Sequence, residues 1–354
     1  MQVEGVEEAD IIKSDGDYLY YYNQRLQQIM IIASPRDKED GAVDLDNAEV
    51  IKKLNLPSNF YGSQLYIEDD KLVIIGQRWS NSASNSFIDR GNKIDVIVYD
   101  VSNVEKPKLM KFSDLDGYYT DSRMIDGKLY LVSQLNVNRR WAFNGLEKLE
   151  DVELLEDDVL PKAIDISYTQ DDDKQNLKIG DQTFPYRVGV HRPSCDSIFY
   201  VLPDKETVKQ FGLQPSFTVV RVIDINDTEE EIQTTTAFGN TQTIHMSMDG
   251  LYLTNSFWMP YPFSCPINAR CILPWYDQGA NTLIHKFAIG DDSLVSYVDS
   301  TIIEGEPLSQ YSMSEDSDGN FRILTKTWTP QLATHLAILD EDLDAVGLLR
   351  NIEP

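Results

Sequence analysis

The chain has 354 residues, 42% of them hydrophobic, and a formal charge of -27 from 58 acidic against 31 basic side chains. Such a charge repels nucleic-acid phosphates and anionic lipid heads, which argues against both as partners, and it attracts cations or basic proteins. With 18 Tyr, 13 Phe and 5 Trp the chain is too aromatic to remain disordered, and no apolar run reaches the roughly 18 residues of a membrane span, so no membrane insertion is expected.

In chain order, the first element is a hairpin, "ADIIKSDGDYLYYY" (9–22), in which apolar residues flank Asp15-Gly16. Asp-Gly tolerates positive φ, which tight hairpin turns require. "DLDNAEVIKKLNLP" (44–57) follows and reads as a short helical insertion. The same hairpin grammar returns at "QLYIEDDKLVIIGQ" (64–77), "RMIDGKLYLVSQ" (123–134), "IHMSMDGLYLTN" (244–255) and "YSMSEDSDGNFRILTK" (311–326). A second strand-turn-strand unit follows most of them: "KIDVIVYDVSNVEKPKLMKF" (93–112), "FTVVRVIDINDTEEEIQTTT" (217–236), "TLIHKFAIGDDSLVSYVDST" (282–301) and "HLAILDEDLDAVGLL" (335–349).

Two such hairpins make a four-stranded antiparallel blade. The turns at Asp15, Asp69 and Asp126 are spaced about 55 residues apart, a blade-sized period. The expected fold is therefore all-β, a β-propeller of about five visible blades, as one domain over 1–354. Strands such as "KLVIIG" are apolar on both faces, as blades stacked on two neighbours require. A sandwich would not need this period, and a β-helix would need shorter repeats. Residues 135–215 break the rhythm and read as an insertion within the third blade, or as a further blade with a degraded turn. Inside it, 144–166 reads as a helix from Leu146, Leu149, Val152 and Leu155 at three-residue steps, 169–183 as a polar hairpin or loop, and 195–203 as a strand. The C-terminal "LLRNIEP" closes nothing, so the blades are expected to belong to a larger ring.

The opening "VEGVEEADIIKSDGDYLY" (3–20) closely resembles that of a family of bacterial and archaeal secreted proteins with a β-propeller domain distantly related to WD40 repeats. The similarity continues through "VIVYDVSNVEKPKL" (96–109), "DSRMIDGKLYLVS" (121–133), "TLIHKFAI" (282–289) and "YSMSEDSDGNFRI" (311–323), and is weakest over 135–215. The resemblance implies an exported propeller, and family members usually continue beyond the point where this chain stops. It carries over no activity, catalytic residue or cofactor, and the WD dipeptide is missing from these blades.

No phosphate-binding glycine loop and no G-x-S-x-G elbow is present. His191, His245, His285 and His335 are too far apart in sequence for a local zinc site, and the last three read as packed strand residues. Three features could carry function, each with a structural alternative. Asp316, Asp318 and Asn320 around Gly319 resemble half of a calcium loop, or form an ordinary acidic turn; "DEDLD" (340–344) and "DDD" (171–173) pose the same choice. The connection 255–278 holds Trp258, Tyr261, Trp275 and Tyr276, either a rim surface for a protein or carbohydrate ligand or a satellite core stapled by a Cys265–Cys271 disulfide in an oxidising compartment. Cys195 is the odd thiol. Arg139, Arg140 and Trp141 form a rare basic spot that binds an acidic partner or a sugar, or pairs with nearby carboxylates. The expected role is a non-enzymatic binding or scaffold module for a protein or glycan at the cell surface. The alternative is a carbohydrate-active hydrolase or lyase using paired carboxylates, with or without calcium.

Overall fold

The structure is a computed structural model and describes residues 3–33, 48–57, 59–79, 91–136, 160–169, 175–179, 182–193, 198–200, 216–227, 229–260, 278–290, 294–328 and 332–352. Among these residues the chain forms strands, turns and one 3-10 turn at Gln310–Ser312. It divides into two compact units, Val3–Ile198 with Phe217–Thr236, and Phe199–Ser216 with Ala237–Pro354.

In the first unit, β1 (Glu7–Glu8) precedes a sheet of β2 (Ile12–Ser14), β3 (Tyr18–Asn23), β4 (Gln28–Ala33) and β5 (Glu49–Asn55), antiparallel in chain order. The second sheet repeats that order with β6 (Phe60–Glu68), β7 (Lys71–Trp79), β8 (Asn92–Asp100) and β9 (Lys108–Asp116). The third opens with the hairpin β10 (Tyr118–Ile125) and β11 (Lys128–Asn136). Asp126 and Gly127 at its turn have φ of 46° and 74°, the paired left-handed conformation anticipated for Asp-Gly.

Before the third sheet resumes, the chain makes β12 (Ala163–Tyr168), β13 (Gln175–Ile179), β14 (Gln182–His191) and β15 (Ile198–Tyr200), and then β16 (Ser216–Asp224) and β17 (Gln233–Phe238). Although they lie between the two halves of the third sheet in sequence, β12, β14 and β13 extend the second sheet beyond β9 to seven strands. The third sheet has the order β1-β10-β11-β16-β17-β15. The second unit contains a fourth sheet of β18 (Thr243–Met246), β19 (Gly250–Pro260), β20 (Gln278–Ile289) and β21 (Val295–Glu304). Its fifth sheet holds β22 (Glu306–Pro307), β23 (Met313–Glu315), β24 (Phe321–Thr327), β25 (Ala333–Leu339) and β26 (Ala345–Ile352).

Among the described residues neither expected helix is seen, while Leu146, Leu149, Val152 and Leu155 lie outside the described residues. Glu49–Asn55 is strand β5, whose register on β4 buries Leu54 in the core, and the described end of 144–166 is strand β12 laid on β9. At 49–55 the edge of β4 supplies a backbone hydrogen-bond ladder, which outweighs a weak helical spacing.

Stacked faces explain the apolar runs. Leu72 and Ile74 pack with Tyr20, Ile29 and Ile31 of the first sheet. Their neighbours Val73 and Ile75 pack with Leu129 and Leu131 of the third. Gly76 is the close point: a Cβ there would lie 2.2 Å from Cζ of the buried Phe60 ring. In the second unit, Tyr252 and Ile284 of the fourth sheet pack with Phe321, Ile323, Ala337 and Leu339 of the fifth.

Acidic turns are held by their own carboxylates. Asp15 accepts the N–H groups of Asp17 (3.0 Å) and Tyr18 (2.7 Å), and Asp340 those of Asp342 (3.1 Å) and Asp344 (2.8 Å). Asp224 accepts from Asn226 (2.6 Å) and Asp227 (2.8 Å). Part of the negative charge therefore serves the turns themselves, by the Asx-turn mechanism.

Candidate functional site

The fifth sheet has two different faces. Along β24 and β25 burial alternates with period two. Phe321, Ile323, Ala337 and Leu339 point into the core shared with the fourth sheet. There Tyr252 stacks on Phe321 (3.9 Å between centroids, 7° between planes) and donates its hydroxyl to Glu315 (2.7 Å). Ser247 is also hydrogen-bonded to Glu315, and the Lys286 ammonium lies 5.5 Å from the Tyr252 ring centroid and donates to the carbonyl of Glu341 (2.9 Å). Burial, and then the Glu315 carboxylate, hold the Tyr252 phenol far above the usual tyrosine range.

The opposite face is half-buried along β24 and β25 and becomes exposed towards β26 and Trp328, among the described residues. Cross-strand pairing places Arg322 beside Ile338, Leu324 beside Leu336, and Lys326 beside Thr334. On β26 the same face continues with Leu349 opposite Leu336 and Ile352 opposite Thr334. Trp328, just past β24, is 50% exposed and Leu349 58%. The indole is held in place: its Nε1–H donates to Glu306 Oε1 (2.8 Å), and the Lys326 ammonium sits 4.9 Å from the indole ring centroid and 3.5 Å from the same carboxylate. An aliphatic surface with a fixed aromatic and flanking cations is equipped for contact with another macromolecule.

A second concentration of charged groups lies at one end of the second sheet. Arg78 donates Nε to Asp95 Oδ2 (2.8 Å), and Nη2 to Asp95 Oδ1 (2.9 Å) and Asp114 Oδ2 (2.6 Å). Lys93 pairs with Asp114 (3.0 Å) and Asp116 (2.7 Å). Hydrogen bonding to Asp95 raises Arg78 above its ordinary pKa, while burial keeps Asp95 above the carboxylate norm despite Arg78. For Lys93, burial is outweighed by Asp116 and Asp114, so its pKa is also raised. The fully buried Arg221 on β16 donates Nη1 to Ser133 Oγ (2.8 Å) and Nη2 to the carbonyl of Asp116 (3.1 Å), and its Nε finds no acceptor among the described residues. Burial pulls Arg221 down to about 10. Sequence reading missed this network, although polar residues interrupting "KIDVIV" and "FSDLDG" were its visible trace.

Asp316, Asp318 and Asn320 come together in one turn. Asp316 Oδ1 accepts from the backbone N–H of Asn320 (2.9 Å) and Asp318 (3.0 Å) and from Asn320 Nδ2 (3.2 Å). These contacts, the Asn320 N–H first, lower its pKa. Trp258 lies in the β19–β20 ladder opposite Ala280. Tyr261, Trp275, Tyr276, Cys265, Cys271, Cys195, Arg139, Arg140 and Trp141 lie outside the described residues. His285 is buried with Nδ1 3.5 Å from the Tyr297 hydroxyl. His335 is buried beside Thr327 (3.0 Å), and its Nδ1 accepts the Asn351 N–H (3.4 Å). No group of three or more His, Cys, Asp or Glu side chains among the described residues could hold a metal ion.

A family model described as a beta propeller domain matches residues 1–354. An uncharacterized protein of Methanocaldococcus jannaschii is 31% identical over 136 residues, 38% of this chain and 17% of its own length. The matched region is thus a minor part of that longer relative. A crystal structure of a eukaryotic initiation factor aligns over 98% of this chain and 88% of its own at 10% identity, with a TM-score of 0.23 that is too low to carry weight.

Proposed function

Since the chain belongs to the beta propeller domain family, we propose that it is a non-enzymatic binding module whose open fifth-sheet face receives a protein partner outside the cell. The carrying observation is the aliphatic face of β24, β25 and β26 around the indole of Trp328, which Glu306 fixes in place. Holding the aromatic in advance reduces the ordering cost of binding. Arg322 and Lys326 flank this face but each sits beside a carboxylate of its own chain, Asp316 (3.9 Å) and Glu306 (3.5 Å), so recognition rests on the apolar groups first. Export rests on the resemblance of residues 3–20 and the later motifs to secreted propellers.

The test compares proteins cross-linked to the wild-type chain with those cross-linked to a Trp328→Lys/Leu349→Lys variant, using cell-envelope extracts. Both substitutions are on exposed side chains, so the melting temperature serves as the folding control. A protein captured by the wild type and lost from the folded variant supports the reading. Identical capture by both overturns it.

A further inference from the structure

Outer strands of sheets are open hydrogen-bonding templates, and proteins usually protect them with charge. In this chain β5 carries Glu49, Lys52 and Lys53, and β21 carries Asp299 and Glu304. The outer edge of β9 is covered outright by β12, β14 and β13. The eight residues of β26, by contrast, include one charged side chain, Arg350, and Val346 and Leu348 are 59% and 52% exposed. Among the described residues no strand pairs with its outer side.

We propose that β26 is a self-association edge, and that two copies of this chain pair their β26 strands antiparallel about a two-fold axis. The charge order along the strand selects this occupant. The acidic turn of Asp340, Glu341, Asp342 and Asp344 precedes the strand, while Arg350, exposed and 3.6 Å from Glu304 of its own chain, lies near its end with a solvent-screened pairing that a second copy's acidic turn can share. Antiparallel pairing brings the Arg350 end of each copy beside the acidic turn of the other, whereas parallel pairing would align like charges. The second sheet gives an internal precedent, because it already grows by antiparallel strands added outside its fourth. An isologous pairing of this kind closes at two copies. The contact is small, so it belongs to the weak, concentration-dependent class.

The test is sedimentation equilibrium of the full chain from about 1 to about 500 µM at near-physiological salt, a range chosen for weak association. The expected result is a monomer–dimer equilibrium. Leu348→Lys, with its melting temperature as folding control, abolishes the dimer. Arg350→Glu weakens it at least about tenfold, equivalent to about 1.4 kcal/mol. The charge swap Asp344→Lys/Arg350→Glu restores it, because the pair is re-formed with its signs exchanged. A chain that stays monomeric throughout, a dimer indifferent to Leu348→Lys, or species that keep growing beyond two copies overturns the proposal. Leu349 lies on this same strand, so Trp328→Lys alone, outside β26, separates failure of the open-face reading from failure of this one.

Discussion

Replacing Arg221 separates the value of its charge from the value of its bulk. The guanidinium is fully buried, and burial lowers its pKa from 12.5 to about 10, which corresponds to about 3 kcal/mol against the charged form at neutral pH. Its two hydrogen bonds, to Ser133 Oγ and the Asp116 carbonyl, are each worth about 1.5 kcal/mol or somewhat more, so they roughly offset that cost. Arg221→Met keeps most of the volume and removes both terms. Its stability is therefore expected within about 1.5 kcal/mol of wild type. Arg221→Ala removes the bulk as well and leaves a void between sheets, with an expected loss of about 3–5 kcal/mol. Urea unfolding followed by circular dichroism at neutral pH measures both. If Met costs as much as Ala, the charge is indispensable, through Asp116 and Asp114, and the hydrogen bonds outweigh the burial cost rather than offset it.

Gly76→Ala forces a Cβ into the Phe60 ring and should destabilise the fold by about 2 kcal/mol or more, with Phe60→Leu in the same chain recovering part of the loss; additive costs in urea melts would exclude the clash. Burial lowers His285 to about 4 in the fold against an ordinary 6.5, so its neutral form stabilises fully above 6.5. That contribution is lost as pH falls towards about 4, up to about 3 kcal/mol, and His285→Gln should flatten the wild-type stability curve across that window. Tyr99 is raised to about 12 by burial, so its contribution is intact below pH 10 and is lost as pH rises to about 12. Tyr99→Phe should therefore reduce the alkaline slope by about 1.4 kcal/mol per pH unit in that range, and an unchanged slope would mean that the phenol ionises freely in the fold.

Local chemistry made the hairpins legible. Asp126 and Gly127 adopt positive φ because the pair tolerates it, and the strands on either side announce themselves by apolar runs long enough for two buried faces. Helical spacing misled at 49–55, because the strand edge beside β4 offers a continuous ladder that no local propensity encodes. The acidic turn at Asp316 was visible as a cluster, while the use of its carboxylate by Asp318 and Asn320 depended on backbone geometry.

The sequence by itself determined an all-β chain of repeated antiparallel hairpins, since period-two patterning and turn residues act over a few positions. Only the tertiary structure decided that β12, β13 and β14 widen the second sheet rather than the third. It alone decided that Arg78, Lys93, Asp95, Asp114 and Asp116, from three strands, meet in one network. Among the described residues it alone left Leu349, Ile352 and Trp328 exposed on one face of the fifth sheet, beside the half-buried Leu324 and Leu336. Those outcomes depend on register and stacking between segments far apart in the chain, where a shift of one residue would turn every side chain to the other face.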